Sequence, residues 1–346
     1  MREYFTRLLG NGDTRLRLGR AIENGTLSHA FLISGPEGTG KTVLATELAA
    51  AINCENRDAA SRPLPCGICN SCRRIREGKF TDLTFVARRK DKATLGVDVI
   101  KELREDMFLS ATESEHKVYV IDEAEYMTVE AQNALLKVLE EPPKGVTIIL
   151  LTTECDKILT TIKSRTQLVP MCRFERDELA AHLTGISREA ASLKQRDPRS
   201  FEEILVGSGG RLGEALRLLD PASAARLGEE RGEVMDFVRA ISPRSGFAEL
   251  HTAVSSLSST KRQELLESLE RISSALRDMI ALKQASDAPV VFFTSKDEAK
   301  ALGAEIGLRR LLSVYDAVME AHDYCVRNGN VSNLLTNLEL RLKATK

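Results

Sequence analysis

The sequence contains no long hydrophobic run and no excess of charge of one sign. No stretch of about 18 apolar residues is present, so the sequence predicts no membrane-spanning helix. The N-terminus, MREYFTRLLGNGDTR, lacks the apolar core of a secretory signal, which favours a cytoplasmic protein. Lysine and arginine number 49 against 50 aspartate and glutamate. The resulting net charge of −1 argues against a uniformly basic nucleic-acid binder.

The first half of the sequence alternates short apolar runs with helical patterns. Strands are predicted at residues 30–34, 117–121 and 146–151, and helices at residues 42–53 and 128–141. Buried strands separated by helices are typical of a parallel sheet that is covered on both faces. The chain of 346 residues is long enough for two or three domains that each bury a core without disulfides. The predicted fold class is therefore α/β in this half.

After about residue 170 the pattern becomes helical. Residues 174–219 predict short helices with a glycine-rich break, and the segment from about Glu229 to Lys346 shows apolar residues at three- and four-residue spacing. We expect a small helical domain and a C-terminal all-α bundle to follow the α/β domain. The predicted boundaries are 1–170, 171–222 and 223–346.

A glycine-rich motif, GPEGTGKT at residues 35–42, lies between a predicted strand and a predicted helix. Its glycines let backbone N–H groups turn toward phosphates, and the helix N-terminus adds favourable partial charge. Lys41 would reach the β- and γ-phosphates of ATP, and the Thr42 hydroxyl would ligate Mg²⁺. A chance glycine-rich turn is disfavoured because the strand and helix are both in place. The predicted nucleotide-binding residues are Gly35, Pro36, Glu37, Gly38, Thr39, Gly40, Lys41 and Thr42.

An acidic pair, Asp122 and Glu123, follows the second predicted strand. Such a strand delivers carboxylates to its C-terminal end, where open α/β sheets bind ligands. Asp122 would hold Mg²⁺ through a bound water, and Glu123 would orient or deprotonate the water that attacks ATP. The alternative is that the pair merely caps the next helix. It is disfavoured because the pair follows a complete phosphate loop by about 80 residues.

Four of the seven cysteines fall within 19 residues, at Cys54, Cys66, Cys69 and Cys72. Four thiolates at this spacing suit tetrahedral Zn²⁺, with bonds of about 2.3 Å, and in a reducing compartment such clustering favours metal over disulfides. An iron–sulfur or redox site is the alternative. A closed four-cysteine zinc module over residues 54–72 would be structural. The three isolated cysteines are interpreted as free thiols: Cys155, Cys172 and Cys325.

Several segments resemble bacterial clamp-loader ATPases of the AAA+ class. They are the helix QNALLKVLEEPP at residues 132–143, the segment SHAFL before the phosphate loop, and the four-cysteine insertion after the first helix of the sheet domain. The resemblance is strong over residues 1–170, weaker through residues 171–220, and only architectural beyond. It implies a P-loop domain of the AAA+ class. It also implies that the small helical domain is the lid of that P-loop domain and that the C-terminal bundle is a collar for oligomerisation.

The resemblance also assigns roles to residues after the third strand. Thr152, with Thr153 as second choice, looks like the sensor-1 threonine that detects the γ-phosphate or the attacking water. Residues 162–166, IKSRT, look like the Ser-Arg-Cys motif, with Thr166 in place of the usual cysteine. In the family, that arginine reaches the ATP of a neighbouring subunit as an arginine finger. This implies that Arg165 acts in trans and neutralises charge on the transferring phosphoryl group of a neighbour's ATP. The alternative is that Arg165 is a surface charge or an internal salt-bridge partner.

The family further implies partners. Its members form hetero-pentameric rings of gamma/tau, delta and delta-prime subunits that load a sliding clamp onto primed DNA. A basic stretch between Arg73 and Lys92 offers a contact with DNA, and a solvated charged face is the competing interpretation. We therefore expect ATP, Mg²⁺ and Zn²⁺ as cofactors, other loader subunits, the clamp and primed DNA as partners, and no membrane contact.

One departure from the family concerns the sensor-2 arginine of the lid. Motor subunits carry it two residues before an Ala-Leu pair, where this sequence has Gly213, and Arg211 lies two residues earlier. The departure resembles the delta-prime stator rather than the gamma/tau motor, and a tau-type subunit would continue well beyond the position of Lys346. We expect ATP binding with little hydrolysis by the chain alone. A gamma-type motor and a stand-alone AAA+ regulator are the alternatives.

Overall fold

The computed structural model describes residues 2–89, 92–257, 262–327 and 329–344. The chain divides into two compact units, residues 1–178 and residues 179–346, and each is described by itself. The first unit holds the phosphate loop and the four-cysteine cluster, and the second is helical. The finer division of the chain into three domains, with boundaries at residues 170 and 222, stays a prediction.

The described residues of the first unit form one parallel sheet. Its strands are β1 Ala30–Ser34, β2 Leu83–Val86, β3 Lys117–Ile121, β4 Val146–Thr152 and β5 Gln167–Pro170. Their order across the sheet is β2-β3-β4-β1-β5, and every pairing is parallel. The three central strands are those that the sequence predicts, whereas the two edge strands were not predicted. The predicted α/β fold with a parallel sheet is confirmed.

Helices cover both faces of this sheet, and successive residues of a strand serve opposite faces. Phe31 and Ile33 of β1 belong to the core on one face, which includes Leu44 of the helix that follows the phosphate loop. The intervening Leu32 belongs to the core on the other face, which includes Leu135 of the helix that follows β3. The helices of this unit are α1 Gly12–Glu23, α2 Lys41–Ile52, α3 Asn70–Arg76, α4 Val97–Met107, α5 Val129–Glu140 and α6 Thr160–Lys163.

The ends of α5 follow from its sequence. The Thr128 hydroxyl accepts a hydrogen bond from the Ala131 N–H at the N-terminus of the helix, which satisfies one of the free amides of the first turn. The helix ends at Glu140, shortly before two prolines that cannot continue it. The predicted helix at residues 128–141 is therefore confirmed within one residue at each end.

All regular secondary-structure elements among the described residues of the second unit are helices. The largest core of this unit joins apolar residues of several helices into one bundle, among them Phe237, Leu269 and Val314. The apolar segment Val290–Phe293 is not a strand. No described helix is both long and apolar enough to cross a membrane. The remaining helices are α7 Arg176–Ile186, α8 Arg188–Arg196, α9 Pro198–Gly207, α10 Leu212–Arg217, α11 Pro221–Ala240, α12 Phe247–Ser256, α13 Arg262–Gln284, α14 Lys296–Gly303, α15 Leu308–Val326 and α16 Val331–Ala344.

Candidate nucleotide-binding site

The phosphate loop connects the C-terminal end of β1 to the N-terminus of α2. Gly38 and Gly40 adopt positive φ angles of 76° and 88°, which only glycine reaches at low cost. Gly35 lies against the carbonyl oxygen of Met171 so closely that a Cβ would collide with it. The glycines of the motif are thus required by backbone geometry, and the loop leaves the first amides of α2 without intrahelical partners.

Lys41 folds back over the loop. Its Nζ donates hydrogen bonds to the carbonyl oxygens of Gly35, at 2.7 Å, and Pro36, at 3.0 Å. Burial lowers the pKa of Lys41, while the negative charges of Glu125 and Asp122 oppose that shift. A bound phosphate would replace the two carbonyl oxygens with a charged acceptor.

The acidic pair lies at the C-terminal end of β3. The Asp122 carboxylate accepts the Glu123 N–H at 2.8 Å, and burial raises the pKa of Asp122. Glu123 has a left-handed backbone with φ 51°, which is rare outside glycine and marks local strain. Its side chain is 41% exposed and lies 3.4 Å from Nε of Arg88, whose guanidinium stacks over the ring of Tyr126. Glu123 is therefore held by Arg88.

Thr152 is the last residue of β4, the strand that lies between β1 and β3. It is in register with Ser34, and its carbonyl oxygen accepts the Gly35 N–H at 3.1 Å. Its hydroxyl oxygen accepts the Glu154 N–H at 3.1 Å. The strand order therefore brings the phosphate loop, the acidic pair and the sensor threonine to one edge of the sheet, where ligands of parallel sheets bind.

Glu125 is a site residue that the sequence reasoning missed. It lies in the short 3₁₀ turn Ala124–Tyr126, is 9% exposed, and accepts hydrogen bonds from both the N–H and the hydroxyl of Thr153. The available signal was its position three residues after Asp122, but only the pairing of β3 with β4 makes it a neighbour of the threonines.

Arg165 follows α6 and is about one-third exposed. It forms an ion pair with Glu140 at 2.6 Å and donates a hydrogen bond to the Thr161 carbonyl oxygen at 3.0 Å. Its guanidinium is thus held at the surface near the end of α5, outside the group of residues at the phosphate loop. Its predicted action on a neighbouring subunit stays a prediction.

The four clustered cysteines are buried, and their Sγ atoms all lie within 4.8 Å of one another. Tetrahedral zinc with bonds of about 2.3 Å separates its sulfurs by roughly 3.8 Å, so the cluster needs little adjustment to hold such an ion. The Sγ of Cys66 accepts the Cys69 N–H and the Sγ of Cys69 accepts the Cys72 N–H, both at 3.4 Å. These bonds orient the sulfurs inward, and the donor set fits a closed tetrahedral metal site.

The remaining predicted features are the two residues considered for the sensor-2 position, Gly213 and Arg211, and the basic stretch. Gly213 lies in α10 of the second unit, and a Cβ there would meet nothing within 4 Å. Arg211 precedes that helix and donates through Nε to the Ser208 carbonyl oxygen at 3.1 Å. Lys90, in the basic stretch, lies outside the described residues.

Comparison with known proteins gives a consistent family. Residues 11–175 match the profile described as DNA polymerase III, delta subunit. The gamma/tau subunit of Mycobacterium tuberculosis is 34% identical over 62% of this chain and 36% of that protein. The tau subunit of Bacillus subtilis is 36% identical over 64% and 38%, and that of Escherichia coli 33% identical over 66% and 34%.

The chain spans just over a third of the length of these relatives. The match covers the parallel sheet, the phosphate loop, the four cysteines and Arg165. Through this nucleotide-binding half, the chain is similar to the delta, gamma/tau and tau subunits of bacterial DNA polymerase III.

Proposed function

We propose that the chain is a clamp-loader subunit that binds ATP with Mg²⁺ and acts chiefly as a stator within a ring of related subunits. The observation that carries the proposal is the placement of β4 between β1 and β3, which sets Thr152 beside the phosphate loop and next to the acidic strand. An accidental glycine-rich turn would have no reason to stand beside these residues.

The roles at the phosphate loop follow from the contacts described above. Backbone amides between Glu37 and Thr42 and the Lys41 ammonium would hold the phosphates. The Thr42 hydroxyl and Asp122 would hold Mg²⁺, which supplies neutralisation of phosphate charge when bound. Glu123 would orient the attacking water once it leaves Arg88. Thr152 would detect the γ-phosphate.

The cysteine cluster would hold one Zn²⁺ through Cys54, Cys66, Cys69 and Cys72. Four protein ligands leave no open position, so the ion would stabilise the fold without reacting. The alternative iron–sulfur interpretation fits less well, because four sulfurs within 4.8 Å of one another suit a single central ion rather than a larger cluster of several iron and sulfide atoms. A zinc count per chain decides between the two.

The stator role rests on Arg165 and Gly213. The Arg165 side chain is about one-third exposed and would exchange Glu140 for a neighbour's γ-phosphate. Gly213 offers no side chain for sensing ATP within the same subunit. The expected setting is the cytoplasm, with gamma/tau and delta subunits as neighbours, the sliding clamp as cargo and primed DNA inside the ring.

A gamma-type motor is the second candidate. The complete phosphate loop, Asp122 and Glu123 favour it, and so do relatives named gamma/tau at 33–36% identity. In that case the isolated chain would turn over ATP. Measuring ATP hydrolysis by the purified chain, alone and with its loader partners, separates the two candidates: the stator shows little turnover alone.

Arg165→Ala tests the action in trans. We expect the variant to bind ATP as well as the unchanged chain but to lower ATP hydrolysis of the assembled complex, because an arginine finger is worth on the order of 10³-fold or more at the site it serves. Arg199→Ala is the matched control, since Arg199 is 87% exposed and pairs with Glu203 on its own helix. Unchanged activity of the Arg165→Ala complex would refute the assignment.

A further inference from the structure

Residues 2–11, here called the N-terminal strap, run from the cysteine module to the phosphate loop, and the proposed function gives them no role. Three side chains of the strap belong to the same hydrophobic core as α2 and the four clustered cysteines: Tyr4, Phe5 and Leu8. The strap is therefore built into the part of the first unit that holds both proposed sites.

The backbone of the strap is strained at two positions. Phe5 and Asn11 are left-handed, with φ angles of 50° and 49°, and Phe5 is in addition a bulky, fully buried residue. Among the described residues other than glycine, Glu123 of the acidic pair alone shares a positive φ with them. Such conformations are unfavourable and persist only where surrounding contacts hold them. The contacts at the two ends of the strap therefore decide its conformation.

The start of the strap pairs with the loop that joins Cys54 to Cys66. The Leu64 N–H donates to the Glu3 carbonyl oxygen at 2.9 Å. The Phe5 N–H in turn donates to the Leu64 carbonyl oxygen at 2.8 Å, which completes a short parallel bridge. Because these backbone bonds fix the register of the two segments, a displacement of the loop displaces the start of the strap.

Arg2 adds side-chain bonds to this connection. Its Nη1 forms an ion pair with Glu23 of α1 at 2.8 Å, and the side chain is only 7% exposed. Its Nη2 and Nε donate to two carbonyl oxygens of the same loop, those of Arg57 at 2.9 Å and Arg62 at 2.8 Å. One guanidinium thus joins the loop of the cysteine module to the strap and to α1.

The other end of the strap lies against the phosphate loop. Leu8 is 2% exposed, and a Cβ placed on Gly40 would stand 3.0 Å from its Cδ1 atom. The Leu8 side chain therefore packs directly on the glycine that precedes α2. Asn11 then fixes the end of the strap to the segment after β5. Its side-chain oxygen accepts the Cys172 N–H at 3.0 Å, and its side-chain amide donates to the Cys172 carbonyl oxygen at 3.3 Å.

We propose that the N-terminal strap couples the metal state of the cysteine cluster to ATP binding. A metal-bound cluster would fix the loop between Cys54 and Cys66, this loop would fix the strap, and the strap would hold Leu8 against Gly40. Arg2 and Leu8 are thus positioning residues, because they act through the loops that they contact. Coupling between two sites is reciprocal, so bound ATP would also retain the metal. This coupling rests on the proposed ATP and zinc sites and adds residues outside their motifs.

The test measures ATP binding and zinc release by the full-length chain. ATP affinity is obtained by calorimetric titration. Zinc release is started with a thiol-reactive reagent and followed with a metal-sensitive dye, with and without saturating Mg²⁺-ATP. We expect ATP to slow zinc release about fivefold in the unchanged chain, the lower end of the range for coupled sites. Arg2→Ala, at the cysteine end of the strap, should abolish this effect and weaken ATP binding by a similar factor.

Leu8→Ala cuts the strap at its other end and should give the same two results. Leu18→Ala is the matched control, because Leu18 is a leucine of α1 that is buried in the same core as Leu8. The control should lose stability as Leu8→Ala does, yet keep both its ATP affinity and the effect of ATP on zinc release. Thermal melts identify variants that do not fold, and if Leu8→Ala is one of them, Arg2→Ala decides.

The outcomes separate the coupling from the proposed function. An unchanged chain that binds no ATP, or holds no zinc, would overturn the proposed site and the coupling together. A chain that holds both, but releases zinc at the same rate with and without ATP, would overturn the coupling alone. Retention of the full effect in Arg2→Ala would also overturn it. So would loss of the effect in Leu18→Ala, because ATP would then act through overall stability rather than through the strap.

Discussion

The two ends of α2 carry two sites that are built in opposite ways. At its N-terminus, Gly40 in a left-handed conformation opens the helix toward the phosphate loop, and backbone amides form the binding surface. Just beyond its C-terminus, Cys54 begins a cluster in which four buried side chains point at one another. The helix has 12 residues, so the two sites lie roughly 18 Å apart along one rigid element.

The difference in construction indicates a difference in use. A site made of backbone amides and one lysine is open on one side, so its ligand enters and leaves. A site made of four buried thiolates is closed, so its ion would stay and contribute to folding. One helix thus connects a site whose ligand exchanges to a site whose ion stays bound. The metal site would hold the N-terminal end of α2 in position.

Helix α3, which carries Cys72, also contacts the middle of α2. Arg76 lies at the end of α3 and donates to both carboxylate oxygens of Glu47 on α2 at 3.0 Å; Glu47 is only 1% exposed. Cys72 of the same helix α3 contacts the Ala50 carbonyl oxygen through its thiol. The module therefore packs directly against the helix that starts at the phosphate loop.

The largest effect is expected from the closed end. Cys69→Ser should abolish metal binding and lower stability by at least about 3 kcal/mol, or a Tm decrease of roughly 10 °C, because the metal contributes folding free energy. Metal analysis should find about one zinc per unchanged chain and none in the variant. Cys172→Ser, at an exposed cysteine, is the control and should change neither quantity. Metal-free wild-type protein prepared without chelator would contradict the zinc assignment.

The connection between the ends is tested at Glu47. Glu47→Ala leaves the Arg76 guanidinium without its carboxylate, and we expect a loss of about 3 kcal/mol in urea unfolding, the lower part of the range for broken buried pairs, because Arg76 is 20% exposed. Glu77→Ala, which breaks the exposed pair with Lys79, should cost far less than Glu47→Ala. Equal losses in the two variants would show that the buried pair has no special role.

The open end is tested at Lys41. Without nucleotide, Lys41→Ala should unfold within about 1 kcal/mol of the unchanged chain, since it loses only two hydrogen bonds to loop carbonyls. With Mg²⁺-ATP at 100 times Kd, the unchanged chain should gain about 2.7 kcal/mol, and the variant should gain much less at the same concentration. Lys137→Ala, an exposed lysine on α5, is the control. An equal gain in Lys41→Ala would place ATP elsewhere.

The smallest effect is expected at Gly213. Gly213→Arg should stabilise α10 by up to about 1 kcal/mol, since helix propensity favours arginine and the Cβ position is open. If the missing arginine accounts for weak hydrolysis, the variant should also raise turnover by the isolated chain, by less than tenfold. Gly232→Arg is the control, since a Cβ at this helical glycine also meets nothing within 4 Å; it should raise stability without raising turnover. Equal turnover in both variants would remove Gly213 from the argument for a stator.

The sequence predicted the centre of the first unit better than its edges. The strands β1, β3 and β4 are buried over nearly their full length, so they appear as continuous apolar runs. The edge strands β2 and β5 have four residues each and expose Phe85 and Leu168 to about half their area, so their pattern is weak. Short edge strands are defined by their neighbour in the sheet, which the local sequence does not reveal.

The candidate site shows the same limit. The phosphate loop and the acidic pair have fixed spacing along the chain, so the sequence is enough to find them. Glu125 and Thr153 are 28 residues apart and meet only because β3 and β4 are neighbours. The ion pairs of Arg88 with Glu123 and of Arg165 with Glu140 likewise depend on tertiary packing. Contacts of this kind follow from topology rather than from motifs.

The most direct test titrates labelled ATP with Mg²⁺ onto the isolated chain until binding saturates, and follows the release of phosphate. The account predicts that ATP is retained on the protein, at about one per chain at saturation, and stays largely unhydrolysed until loader partners are added. A chain that retains no ATP would contradict the nucleotide site, and rapid release of phosphate by the chain alone would contradict the stator role.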